Sequence, residues 1–470
     1  MKIGTTAMAY VCLGSTGASA ADWTFEPFIG SSEQYTDNVN STASGAESDF
    51  VTSLDLGFSL VGETKRTELD ISYDLSQDYY LHHSELNGYR QNLIGNGNIE
   101  IVDDRFFVDG RITFTEETLG STGDTSAGDR TQSGGRTQVF NGNISPYYIQ
   151  NFGGWGTGIA RYGYSETRFL EANVGDAGAP PADQRTNEFQ LNFASGIRFS
   201  DYKWAWDNSL LVSESSEDES FQHFASVGTG ELPLNRMFSL IGTLGYDDFD
   251  ADDVDNSEIS GLFGGAGIRF HPSSRTDVSA QIGYRFGDVV YDVDLSYAPT
   301  SQDTVTGSYI VNIQSASESL ADTDILDAQG DLIQPEFSTT TYVDDVTKTK
   351  TLNLAWSGSR GRNDYGLSSS FIEREVLSTE SSDRVVSMRG NFGRQITPRA
   401  DISLNAGYNK TMDGQTAGDQ DTVYNFGSSY NYEFGNGLTG TAAYNFLERQ
   451  NDTSGDVTEN SLTISIRKNF

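Results

Sequence analysis

The sequence predicts an all-β chain, closed as a transmembrane antiparallel up-and-down barrel. Apolar residues recur with period 2 from end to end, and no segment keeps a 3.6-residue period. Short and long connections alternate along the chain, which is how membrane barrels separate short periplasmic turns from long extracellular loops. No run of 18 apolar residues is present, so helical spans are excluded. Alternate side chains of a strand face opposite ways, so one face can meet hydrocarbon while the other meets water. Hairpins fitted to the breaks number about 22 strands, within a range of about 18–24.

The chain opens with a leader. Residues 1–20 have a basic start (Lys2), an apolar middle across 7–13 and Ala18-Ser19-Ala20 before Ala21. That three-part layout is a secretory signal, too short and polar to span a bilayer, and cleavage is expected after Ala20. The barrel is then residues 21–470. Cys12, the single cysteine, lies in the leader, so the exported chain has no thiol for a disulfide or thiolate metal site.

Each strand is justified by its stripe. Phe50, Leu54, Leu56, Phe58 and Leu60 share one parity, and Leu69, Ile71, Tyr73 and Leu75 follow across a turn at 62–66. Phe106, Val108, Ile112 and Phe114 make the next clear stripe. Phe189, Leu191, Phe193, Ile197 and Phe199 precede Trp204, Trp206, Leu210 and Val212. Val278, Ala280, Ile282, Tyr284 and Phe286 are followed by Val289, Tyr291, Val293, Leu295 and Tyr297. Segments 155–169 and 257–270 are rich in glycine and alternate less cleanly; glycines there suit bends and close packing. The last stripe is Leu462, Ile464 and Ile466, closed by Phe470 and interrupted by Lys468.

Short connections fall near 62–66, 103–104, 151–154, 201–202, 233–235, 271–275, 299–302, 359–363, 397–398 and 435–436. Longer polar ones fall near 37–47, 119–134, 170–185, 248–256, 314–345, 411–420 and 450–457. Both termini then lie on the periplasmic side. Bases such as Lys65, Arg66, Arg105, Lys203, Arg236, Arg275, Arg360, Arg362 and Arg399 sit beside the short turns. Acids gather in the long loops.

The densest acidic tip holds Asp247, Asp248, Asp250, Asp252, Asp253, Asp255 and Glu258, and a second holds Glu214, Glu217, Asp218 and Glu219. One reading of these tips is divalent-cation bridging to lipopolysaccharide; the other is simple solvation with mutual repulsion. A calcium loop of the helix–loop–helix type fails, because Asp253 stands at the glycine position and Ile259 at the twelfth. Aromatics near strand ends (Trp23, Tyr79, Tyr80, Trp155, Tyr162, Trp204, Trp206, Tyr432) read as interfacial girdles, with sugar stacking in the lumen as the alternative.

Composition bounds the function. The 67 Asp and Glu against 30 Lys and Arg give a net charge of −37, a field that repels phosphate backbones and argues against nucleic acid. Aromatics at 12% argue against disorder. A barrel needs only one apolar face per strand, so an acidic, polar average is compatible with a membrane. Catalytic signals are scant. His82 and His83 near Asp78 are the one place to look for a barrel hydrolase, and loop histidines without chemistry are the commoner case. Residues 264–267 are glycine-rich but lack the helix and Lys-Ser/Thr of a phosphate loop. No cofactor or metal is implied, and no enzyme is expected.

Two resemblances add to this. The alternating final strand closed by Phe470 resembles the signal read by the bacterial outer-membrane barrel-assembly machinery, which that resemblance makes a partner. Trp23-Thr24-Phe25-Glu26-Pro27-Phe28, Tyr35-Thr36-Asp37-Asn38-Val39 and the hairpin strand running from Thr397 to Tyr408 resemble the outer-membrane proteins of the PEP-CTERM exopolysaccharide system, within the β-barrel porin class. That resemblance implies an outer-membrane barrel working near polysaccharide export components, and it supplies no catalytic residues. Three functions follow as expectations. The first is a porin-like barrel for exopolysaccharide export or passive solute passage. The second is a structural or adhesive barrel binding partners through acidic loops, with outer-membrane lipids and lipopolysaccharide around it. A barrel enzyme ranks last. Strand-like sequence from Trp23 leaves no room for a plug domain, so energy-coupled uptake is disfavoured. A wide lumen then needs a constriction, and the loop 314–341 with Asp322, Asp324, Asp327 and Asp331, and Asp344 just beyond it, is the candidate.

Overall fold

The computed structural model describes residues 22–118, 130, 136–172, 182–216, 220–251, 259–315, 346–379, 381–413, 421–451 and 455–470. Its strands run in chain order around one closed sheet. The first third comprises β1 (Asp22–Thr36), β2 (Asp49–Glu63), β3 (Thr67–Tyr80), β4 (Gly88–Val102), β5 (Phe106–Thr118), β6 (Arg136–Asn151) and β7 (Gly156–Ala172). Next come β8 (Gln184–Ser195), β9 (Lys203–Ser215), β10 (Ser220–Pro233), β11 (Phe238–Ala251), β12 (Gly261–Ser273), β13 (Thr276–Arg285) and β14 (Asp288–Tyr297). The rest are β15 (Asp303–Ser315), β16 (Val346–Arg360), β17 (Asn363–Val376), β18 (Ser382–Thr397), β19 (Ala400–Asp413), β20 (Asp421–Gly435), β21 (Leu438–Asn451) and β22 (Val457–Asn469).

Every neighbour in the chain is an antiparallel neighbour in the sheet, and β1 closes on β22 over Phe28–Thr36 against Ser461–Asn469. The expected strand number, 22, is the observed one. Closure leaves no open edge, which a sheet in hydrocarbon requires.

The stripes set the faces. Leu54, Leu56, Phe58 and Leu60 of β2 register with Gln77, Leu75, Tyr73 and Ile71 of β3, so one continuous apolar surface faces lipid. Leu54 and Leu56 are about half exposed there, as are Leu462, Ile464 and Ile466 on β22. Exposed apolar side chains on this scale mark a surface made for a membrane. The opposite parity, Asp49, Ser53, Asp55 and Ser59 on β2 with Asp78, Ser76 and Ser72 on β3, faces the lumen.

Four expected positions are corrected. Ile197 and Phe199 leave the β8 stripe, which ends at Ser195; Ile197–Phe199 forms a 3-10 turn at the short-turn rim. There Phe199 packs with Trp155, Tyr202 and Trp204, so the apolar residues make an aromatic cap instead of a longer strand. Phe286 is not the end of a lipid-facing stripe: with φ at +57° it forms the turn between β13 and β14 and is buried. Tyr80 is not a girdle residue. It registers with lumenal Val51, is 5% exposed, and donates its hydroxyl to the Arg130 carbonyl at 2.6 Å.

Candidate functional site

The lumen is the site this fold builds, and its wall changes character along the axis. On β20 the inward residues Asp421, Val423, Asn425 and Gly427 are buried, whereas Ser429 and Asn431, nearer the short-turn rim, are partly open and Glu433 is exposed. β1 and β22 repeat the gradient: Gln34, Thr36, Glu459 and Ser461 are at most 1% exposed, while Glu26 is exposed and Arg467, also exposed, lies 3.4 Å over the inward Phe28 ring. A barrel of this many strands would leave its inner wall wet. The extracellular half of the lumen is therefore filled, and the periplasmic half is an open vestibule.

Several described segments contribute to that filling. Arg130, from the β5–β6 connection, reaches inward to Asp78 at 3.3 Å and to Asp55 at 3.8 Å. The 37–48 loop tucks Val39 against Val51, Tyr80 and Leu86. The histidines fasten this loop. His83 Nδ1 lies 2.8 Å from Asp49 Oδ2 and its Nε2 lies 2.7 Å from Glu47 Oε2. With a carboxylate on each ring nitrogen, both nitrogens donate and the ring is held as the cation. Its hydrogen bonds to Glu47 and then to Asp49 raise the His83 pKa. Asp49 also accepts the backbone N–H groups of Phe50, His82 and His83. This is a loop lock, with neither ring nitrogen of His83 free to act as a base.

A second closure comes from β15 and β16. The β14–β15 ladder spans only Val293–Tyr297 against Val305–Tyr309, whereas β15 and β16 pair from Asp303 to Ser315. Register puts Val311, Ile313, Val346 and Lys348 on the face that carries outward Tyr309, Leu352 and Leu354. Yet Ile313 and Val346 are buried in one cluster with Phe221 and Phe249, which face the lumen from β10 and β11, and with Phe286. An outer face can meet an inner face only if the ribbon leans over the mouth. It does so above the ten-residue strands β13 and β14, whose tip is Phe286. Lys348 Nζ donates to the Phe286 carbonyl at 3.2 Å, and Lys348 and Lys350 each lie 3.8 Å from Asp288.

The acidic tip divides. Asp247 faces inward and is 1% exposed, held by Arg285 at 2.7 Å and by His223 at 3.2 Å. Asp248 and Asp250 face outward beyond exposed Leu244 and Tyr246, where the lipid-facing surface of β11 gives way to charge. Asp252, Asp253, Asp255 and Glu258 lie outside the described residues, as does the loop 316–345. Among the described residues no cluster of three or more metal-ligating side chains occurs. At the other end Phe470 is 70% exposed, and its N–H donates to the Pro27 carbonyl at 2.9 Å. Lys468, the break in the stripe, places its ammonium 5.5 Å from the Phe470 ring.

The vestibule has two kinds of wall. Asp70 and Asp74 on β3, Asp207 on β9, and Asp292 and Asp294 on β14 face inward. Gln281 and Ser279 stand opposite the β14 pair, so no base answers them across the ladder. The wall from β18 to β22 is mostly amide and hydroxyl: Asn391 registers with Asn405 and Ser403 with Ser429, beneath Asn425 and Ser461 of the filled half, and Arg389 and Arg467 are inward bases on it. Glycine makes room for these amides, since a Cβ on Gly366, Gly407 or Gly427 would collide with Asn391, Asn425 or Asn405. Sequence reading missed this wall because polar positions between apolar ones carry no pattern of their own.

No family model matches the chain, and no curated protein matches it. Solved structures do. A mutant of the ferric enterobactin receptor PfeA of Pseudomonas aeruginosa aligns with a TM-score of 0.54 at 10% identity, over 95% of this chain and 80% of that one. The FrpB iron transporter of Neisseria meningitidis gives 0.54 at 11% identity, over 94% and 82%. The siderophore receptor PirA of Acinetobacter baumannii gives 0.53 at 8% identity, over 94% and 80%. Identities this low carry the fold alone. With its lipid-facing surface and closed sheet, the chain is a 22-stranded β-barrel of the bacterial outer membrane.

Proposed function

We propose that the chain is a porin-like conduit for polar solutes, uncharged or cationic, working beside an exopolysaccharide export system. The observation that carries this is the vestibule wall, acidic on β3, β9 and β14 and amide-lined from β18 to β22. Amides and hydroxyls exchange hydrogen bonds with water and polyols alike, and the carboxylates repel anions. The solved neighbours named as a transporter and as receptors support a transport role in the coarse sense; their cargo is not carried over at such identity. The sequence resemblance supplies the polysaccharide context.

The test is planar-bilayer conductance of the refolded barrel, wild type and lacking 316–341, with reversal potentials in a salt gradient and liposome swelling with neutral oligosaccharides. Cation-selective steps that enlarge on deletion, with swelling, are expected. Anion selectivity overturns the reading. Absence of conductance from both chains moves the weight to a structural or adhesive barrel, which the filled extracellular half and the outward Asp248 and Asp250 favour.

A further inference from the structure

On the lipid-facing side, at the periplasmic rim, β15 to β18 form an open groove of about 710 Å³ that no part of the conduit uses. Its floor is aromatic. Trp356 and Tyr365 pack with ring centroids 5.0 Å apart, and Phe392 registers beside Tyr365. The floor is fixed by Asp303, whose carboxylate accepts the Tyr365 hydroxyl at 2.8 Å and the Thr300 hydroxyl at 2.6 Å. Gly358 lies between them, and a Cβ there would strike both Asp303 and the Tyr365 ring. The groove is thus built, with its one carboxylate turned to its own hydroxyls.

Its lip is cationic. Arg360 and Arg394 are exposed and flank Asn363, which registers with both. Among the described residues neither guanidinium makes an ion pair, although Asp303 of the floor lies close enough to feel the Arg360 charge, whereas the vestibule's Arg161 and Arg269 are paired. Asn363 donates to the Arg360 carbonyl, but its own buried Oδ1 has no donor. Directly above, Leu354 and Leu367 continue the apolar surface into the bilayer.

We propose that this groove binds one anionic glycerophospholipid of the periplasmic leaflet. The phosphate diester lies between Arg360 and Arg394, which flank Asn363, and the acyl chains start on Trp356, Leu354 and Leu367. Two exposed guanidiniums that make no ion pair suit a phosphate, and their charge favours an anionic headgroup over a zwitterionic one. Aromatic rings and arginines at this depth are where headgroups lie.

The test is native mass spectrometry of the full barrel in detergent, titrated with phosphatidylglycerol, phosphatidylcholine or inorganic phosphate. The variants are R360Q/R394Q, the single change Asn363→Asp, and a control pair at another part of the rim, R66Q/R399Q. Heat-modifiable gel migration checks that each is folded. One retained phosphatidylglycerol on the wild type is expected, bound about ten-fold more weakly by R360Q/R394Q and less tightly by Asn363→Asp. Unchanged binding in R360Q/R394Q, an equal loss in the control pair, equal retention of phosphatidylcholine, or occupancy by inorganic phosphate alone would each overturn the assignment.

Discussion

His83 binds Glu47 and Asp49 together, and its raised pKa gives the extracellular loops a pH dependence with a definite sign. A histidine protonated more readily when folded contributes its full stabilisation below the unfolded value, about 6.5, and loses it as pH rises through the higher folded value. Amide exchange in 38–48 and 81–87, corrected for intrinsic rates, should therefore quicken as pH rises above about 6.5. In His83→Gln the difference should vanish; a pH-independent wild type would count against the lock. Phe470 makes the opposite kind of contribution. Its ring is 70% exposed and touches little, so Phe470→Ala should leave the stability of the refolded barrel within about 0.5 kcal/mol. If its terminal position serves assembly, as the resemblance implies, the same change should slow appearance of the folded form in cells, read by heat-modifiable migration. Equal rates would reduce Phe470 to an ordinary rim residue.

The β15–β16 ribbon shows what an element adds beyond its residues. Strands of 13 and 15 residues exceed the roughly 9–11 that cross a bilayer, so both project past the outer surface, while the ten-residue β13 and β14 stop near it. The ribbon leans into the notch they leave, and Phe286 serves as the seat. Phe286→Ala removes a side chain buried against Phe249 and held in the same cluster as Ile313 and Val346, a class of change that costs about 3–5 kcal/mol. Because the ribbon has no ladder to β14 above Val293, that cost should fall on the ribbon and not on the whole barrel. Faster exchange confined to 310–315 and 346–350, with an unshifted global melt, is the expected outcome; a uniform loss would mean the mouth and wall unfold as one. The stripes made the strands and their parity legible, since period 2 is a property of each strand alone. They could not show the lean. Parity tells which side of a strand Ile313 occupies, whereas its neighbour is decided by the length of strands elsewhere in the chain. Tyr80 and Phe286 misled for a related reason, because at strand ends an aromatic on a lumenal position reads like a girdle residue and one in a turn reads like the end of a stripe.

At the scale of the molecule, the strand number was legible because the alternation of short and long connections is counted, not inferred from propensity. The charge of the lumen was only half legible. The sequence placed the acids in extracellular tips and in the 314–341 loop, yet Asp70, Asp74, Asp207, Asp292 and Asp294 sit in the vestibule wall itself. Those residues alternate with lipid-facing ones and look in sequence like ordinary polar positions. Their placement makes a prediction that separates wall from loop. Asp292 and Asp294 are neighbours on one face of β14, opposite Gln281 and Ser279, and Asp294 borders a recess shared with Arg269 and Asp277. The Arg269 charge is already taken by Asp277 and Glu231, so it cannot screen the β14 pair. Neutralising both, as D292N/D294N, removes charge without removing volume or hydrogen-bonding capacity, and the fold should survive. In a ten-fold potassium chloride gradient the reversal potential should then move toward zero, and the shift should persist in a chain that also lacks 316–341. A shift that disappears with the loop would mean the loop sets selectivity, and the wall would be only its scaffold.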